Sequence, residues 1–183
     1  MGLQEKGIIN IKSDTFCIDS TSIKVHPDAN GYLKKSGKQA IGRSKGGLTT
    51  KIHMIVCSYR NVLIFSLSSG ASHDSQEGLK LVDKLKKTDT AVYFLMDRAY
   101  EGECMGNKVE SLNYISVVPP KSNRKNPWNY DRIKYKERTV IERMFLRLKR
   151  FRKINTRYDK LDEIFIGFIY FAIIVDKICV NTL

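Results

Sequence analysis

Two aspartates stand where a carboxylate is costly. Asp19 directly follows the apolar run Phe16-Cys17-Ile18, and Asp97 closes the apolar run from Val92 to Met96. A carboxylate beside apolar neighbours is tolerated when it is paired or binds a cation, so two such positions suggest a metal site. Strand-end aspartates also cap turns, and composition alone leaves both readings open.

A third carboxylate, Glu142, lies in RIKYKERTVIERMFLRLKR. At 100° per residue, Tyr135, Arg138, Glu142 and Lys149 share a helical stripe about 60° wide, while Val140, Ile141, Met144, Leu148 and Phe151 occupy the opposite side. Glu137 interrupts that apolar face near its start. The stripe could be a solvated face on which Arg138 and Glu142 form an ordinary i,i+4 pair.

The elements that must position these residues are readable from periodicity. TFCIDSTSIKV, TTKIHMIVCSY and NVLIFSLSSG read as strands, the last two joined by a turn at Arg60-Asn61. SQEGLKLVDKL reads as a helix, with Asp74 as its N-cap and Glu77 completing a capping box. The strand AVYFLMD, a helix from Cys104 to Leu112 and the strand YISVV follow. The loop KSNRKNPWNY leads into one long helical stretch, Arg132 to Arg152, and an apolar run from Ile164 to Val175 implies a buried terminal helix. This order predicts an α/β protein with a mixed β-sheet flanked by helices, and excludes an all-helical bundle and an all-β sandwich.

Tyr135, Arg138, Glu142 and Lys149 have the spacing Y-(2)-R-(3)-E-(6)-K, and the surrounding text resembles the signature region of bacterial insertion-sequence transposases of the DDE type. IDSTSIKVH, IGRSKGGLTTKIH, MDRAYEG and VVPPKSNRKNP are similar to the family's other blocks, in order, so the resemblance covers about residues 14 to 160. It implies a ribonuclease H-like domain with Asp19, Asp97 and Glu142 as catalytic and metal-binding triad. The implied cofactor is Mg²⁺, two ions about 4 Å apart, with Mn²⁺ able to substitute. The implied activity is cleavage and strand transfer at element ends. The implied partners are DNA, as terminal inverted repeats and as target, and further copies of the chain on that DNA. Arg138 and Lys149 would neutralise phosphates and Tyr135 would position the strand. Alternatives are an inactive fragment that only binds DNA and a ribonuclease H-like nuclease. Family members generally carry a helical end-recognition region ahead of the first strand, so the chain is expected to be the catalytic portion.

Charge supports a nucleic-acid partner. The chain of 183 residues carries +13, and the excess is concentrated. Residues 121 to 160 hold fifteen Lys/Arg and four Asp/Glu, residues 24 to 51 hold seven and one, and the remainder is net acidic. Candidate phosphate contacts are Lys34, Lys35, Lys38, Arg43 and Lys45 in a flexible glycine-containing loop, and Lys121 and Arg124 ahead of the long helix. Trp128, the only tryptophan, could stack on an exposed base. GKQAIGRS nearly matches a phosphate-binding loop but lacks the lysine and the following helix, so an ATP site is not expected.

Length allows one domain, divided as a short lead (1–13), a catalytic domain (14–160) and a C-terminal apolar helix (161–183) packed on it. Four separated cysteines read as ordinary buried thiols, not as a zinc or disulfide framework. The twelve-residue apolar run is too short to span a bilayer, and no export signal opens the chain. The expected location is cytoplasmic, with the nucleoid, and no membrane partner is expected.

Overall fold

The computed structural model describes residues 13–29 and 37–181. The expected lead (1–13) therefore lies almost wholly outside the described residues, as do Lys34 and Lys35. The chain forms β1 (Thr15–Val25), β2 (Gly42–Ser44), β3 (Gly47–Cys57), β4 (Val62–Ser69), α1 (Asp74–Val82), β5 (Val92–Met96), α2 (Glu103–Ser111) and β6 (Tyr114–Val117). It continues with α3 (Arg132–Tyr135), α4 (Thr139–Leu148), α5 (Arg152–Asn155), β7 (Thr156–Arg157) and α6 (Asp162–Asn181).

β1 lies at the centre of one mixed sheet. It pairs antiparallel with β3 and parallel with β5; β3 continues antiparallel to β4, and β5 parallel to β6. Three meandering strands followed by two parallel strands joined through helices is the ribonuclease H-like arrangement the resemblance implied. The pleat separates two cores, because successive side chains point to opposite faces. Phe16 and Ile18 face a cluster with Leu81, Val82, Met105 and Val109 from α1 and α2. Cys17 and Ile23 face the other cluster, with Ile141, Met144, Phe145 and Leu148 from α4 and Phe165, Ile169 and Ala172 from α6.

Several local expectations change. The glycine-containing basic loop includes a hairpin: Arg43 sits on β2, which pairs with β3, and Lys45 lies in the turn between them. Asp74 is the first residue of α1, not its cap. His73 holds the cap position without a side-chain bond, while Asp74 pairs with Lys51 at 2.9 Å. Glu77 pairs with Lys80 and closes no capping box. The helical stretch from Arg132 is a rod tightened to a 3₁₀ turn over Lys136–Arg138, and it stops at Leu148 because Phe151, packed on the core, adopts an extended backbone. Cys17 and Cys57 are buried, but Cys104 and Cys179 are exposed. α6 is buried on one side only. Among the described residues no helix is long and apolar enough to cross a membrane.

Candidate active site

Strand register brings the two aspartates together. Ile18 pairs with Met96 in the parallel β1–β5 ladder, whose chains run about 4.8 Å apart, and Asp19 within β1 and Asp97 just past the end of β5 follow that last pair. Asp19 shares the pleat face of Cys17, and Asp97 that of Leu95; both belong to the cluster under α4. Both aspartates thus point toward the helix that carries Glu142. Asp97 also accepts from the Arg98 backbone N–H at 2.6 Å and caps a 3₁₀ turn, as the turn-cap reading expects.

Arg138 joins strand to helix. One guanidinium nitrogen donates to Asp19 Oδ2 at 2.7 Å and another to Glu142 Oε1 at 2.6 Å. The expected i,i+4 pair therefore forms, but it is half of a bridge. Arg138 and Asp19 side chains are 15% and 18% exposed, whereas Glu142 is 49% exposed, so the bridge runs from a shielded strand carboxylate to an open helical one. Tyr135 completes the cluster. Its ring lies 5.6 Å from the Arg138 guanidinium and makes an edge contact with Tyr130.

Burial pushes the Asp19 carboxyl above its ordinary pKa. The Ser20 N–H and Arg138 act against that rise, and the neighbouring Asp97 adds to it. Burial opposes charge on Arg138, yet Asp19, Tyr135 and Glu142 together hold it more firmly protonated than usual. Burial raises the Tyr135 phenol as well. Lys149 is the C-cap directly after α4, about 10 Å along the helix axis from Glu142. Burial alone lowers its pKa.

The donor set suits a hard divalent cation: Asp19 and Asp97 offer carboxylate oxygens side by side, and their mutual repulsion is the kind a bound cation relieves. Among the described residues, however, no three His, Cys, Asp or Glu side chains gather closely enough to hold a metal. Arg138 stands between Asp19 and Glu142 and supplies the neutralising charge.

Other expected DNA contacts are placed unequally. Arg43, Lys45 and Lys121 are exposed. Arg124 is committed within the protein, paired with the shielded carboxylate of Glu101 and stacked 4.4 Å over Trp128. Trp128 packs against the α1–α2 core and donates its indole N–H to the Val118 carbonyl at 2.9 Å. One ring face and the polar edge are thus occupied, which makes it a brace for the loop. His53 is buried and bonded to Ser68, as a packed strand histidine should be.

Two carboxylates were not legible as positioning groups. Glu101, 7% exposed, also accepts from the Lys121 backbone N–H and so fixes the root of the basic loop. Glu137 accepts from Thr15 Oγ1 at 3.0 Å and pairs with Lys134, tying the start of β1 to the rod. The available signal for Glu137 was its intrusion into an apolar helical face.

The fold and the site define a ribonuclease H-like domain with adjacent strand aspartates facing a glutamate-bearing helix. Residues 11–175 match the family model described as the transposase DDE domain, and the chain belongs to that family. The transposase assigned to insertion sequence element IS6501 of Brucella ovis is 29% identical over 130 residues, which is 68% of this chain and 95% of that protein. Among solved structures, a Mos1 transposase paired-end complex with the left transposon end is similar at 12% identity and TM-score 0.38, covering 62% of this chain and 37% of that one. The catalytic core domain of BIV integrase is similar at 12% identity and TM-score 0.39, covering 76% and 68%. This chain spans 24% of the piggyBac transposase it also matches, at 11% identity, TM-score 0.42 and 63% of its own length.

Proposed function

We propose that this domain cuts DNA at the ends of an insertion sequence and transfers the strand to target DNA, with Asp19, Asp97 and Glu142 as its metal-holding carboxylates. The observation that carries the reading is the placement of Asp19 and Asp97 directly after the Ile18–Met96 pair of the β1–β5 ladder, with Asp19 linked to Glu142 by Arg138, in a chain of the transposase DDE family. Mg²⁺, with Mn²⁺ as substitute, would be held by these oxygens in a two-ion site, and it supplies activation of the attacking oxygen and neutralisation of the leaving one. Asp19, within β1, and Asp97, directly after β5 and fixed as the cap of a 3₁₀ turn, form the rigid part of the holder. Glu142, half exposed on α4, is the part that can adjust.

Lys149 lies on the same stripe with its ammonium unpaired among the described residues, so it is suited to a phosphate next to the reacting one. Tyr135 orients the strand from the other end of the stripe. Arg43, Lys45 and Lys121 would extend the contact along the backbone. Terminal inverted repeats, target DNA and a nucleoid-associated cytoplasmic location belong to this proposal. With terminal-repeat DNA and Mg²⁺ or Mn²⁺, strand cleavage should vanish in Asp19→Ala, Asp97→Ala and Glu142→Gln. Cleavage that persists in all three overturns the assignment.

A further inference from the structure

α6 has two apolar sides and only one core. Phe165, Ile169 and Ala172 are buried against the domain, and Asp176 fixes the helix to α4 through Arg147 at 2.7 Å. On the opposite side run Ile164, Gly167, Phe171, Ile174 and Ile178, at intervals of three, four, three and four residues. That is the a/d spacing of a helix pair. The four large residues are 49%, 58%, 57% and 61% exposed in chain order, and a contiguous apolar strip of this kind on a basic protein marks an interaction surface.

We propose that α6 pairs antiparallel with α6 of a second copy of this chain, about a twofold axis beside residue 169. In that register Ile164 meets Ile174 of the second copy and Phe171 meets Gly167, each contact made twice, as an isologous interface requires. Gly167 is the telling residue. A Cβ built there meets nothing within 4 Å inside the chain, so its own domain does not need a glycine. In a helix interior glycine costs about 1 kcal/mol relative to alanine; a hole for Phe171 of the second copy accounts for it. The same register sets Glu163 beside Lys177 of the second copy at both ends. Neither is ion-paired among the described residues, and the Lys177 ammonium donates only to the Tyr59 carbonyl, at 3.3 Å. Shape and charge therefore select one alignment, and the homo-oligomer implied by the family resemblance acquires a defined surface. One helix pair is small beside the roughly 1,200–2,000 Å² of a stable interface, so association is expected in the micromolar range.

Sedimentation equilibrium of the full chain, over roughly 1–100 μM, should show a monomer–dimer equilibrium. Phe171→Glu should weaken it at least ~100-fold by placing charge in the apolar seam, with thermal stability unchanged because the residue is exposed. Gly167→Leu should weaken it similarly while raising the melting temperature, since leucine is the better helix former. Glu163→Lys or Lys177→Glu alone should weaken it by roughly three- to tenfold, and the double exchange should restore it. The proposal is overturned by a wild-type chain that stays monomeric throughout, by a dimer indifferent to Phe171→Glu or Gly167→Leu, or by a charge exchange that fails to restore association.

Discussion

The stripe around Arg138 and the loop from Lys121 to Trp128 are both strongly basic, but they dispose of their arginines differently. Arg138 bridges two carboxylates that belong to the candidate chemistry, one shielded and one open. Arg124 answers a single carboxylate, Glu101, and lies over Trp128. The first arginine balances the two carboxylates of the candidate site; the second fixes a loop. In neither region does the count of positive residues equal the charge available to a phosphate backbone, and among the described residues the cations there without an ion pair include the less conspicuous Lys149, Lys121 and Lys125.

Removing Arg138 should have the largest effect. Arg138→Ala leaves Asp19 shielded beside Asp97 with no cation, and losing one partner of a buried pair costs about 3–5 kcal/mol; residual exposure places this site nearer roughly 2–4 kcal/mol. The pH dependence has a definite sign. The Asp19 carboxyl is raised in the folded state by burial and by Asp97, so near neutrality its ionisation opposes folding, and that penalty fades as acid protonates the folded form before the unfolded one. Without Arg138 the rise is greater. Denaturant unfolding should therefore show a deficit that shrinks between neutral and weakly acidic pH and is partly relieved by added Mn²⁺. A deficit independent of pH would mean that Arg138 serves packing alone.

Glu101→Ala should come next, at about 1.5–3 kcal/mol for hydrogen bonds to a buried charged group. It frees Arg124 and the Lys121 backbone N–H together. Emission from the only tryptophan should shift red as the brace loosens. DNA binding should gain salt dependence, by about one phosphate's worth of counterions. Loss of stability without either change would separate Glu101 from the loop.

The pattern of legibility follows from the range of the interactions. Asp19 and Asp97 could be singled out because each follows directly on an apolar run, and Glu142 because its spacing resembles a family signature, while the order of strand and helix runs was plain enough to predict the mixed sheet. Arg138 was legible as a neighbour of Glu142 one helical turn away and, through the family resemblance, as a phosphate contact. Its second bond, to Asp19, spans 119 residues and depends on how the rod docks. The bond from Lys121 to Glu101 is equally a product of tertiary placement. Asp74 shows the opposite failure: a sound local capping pattern gave way to Lys51, which a neighbouring strand presents at 2.9 Å. α6 misled through amount, since an all-round apolar helix reads as buried, while this domain has core for one side only.

The smallest predicted effects sharpen the comparison most, because they reverse between the two regions. Lys149→Ala removes an ammonium whose lowered pKa comes from burial alone. Stability should change by less than about 0.5 kcal/mol, the range of surface substitutions, while the slope of log affinity against log salt falls by about 0.9. Raising pH should weaken the wild-type contact earlier than that of an ordinary lysine, since a depressed ammonium releases its proton sooner. Arg124→Ala should instead lower stability, leaving Glu101 shielded and unpaired, with the salt slope unchanged. Equal slopes for the two variants would mean that Arg124 leaves Glu101 when DNA binds, and the loop would then count as a phosphate contact that is held in reserve.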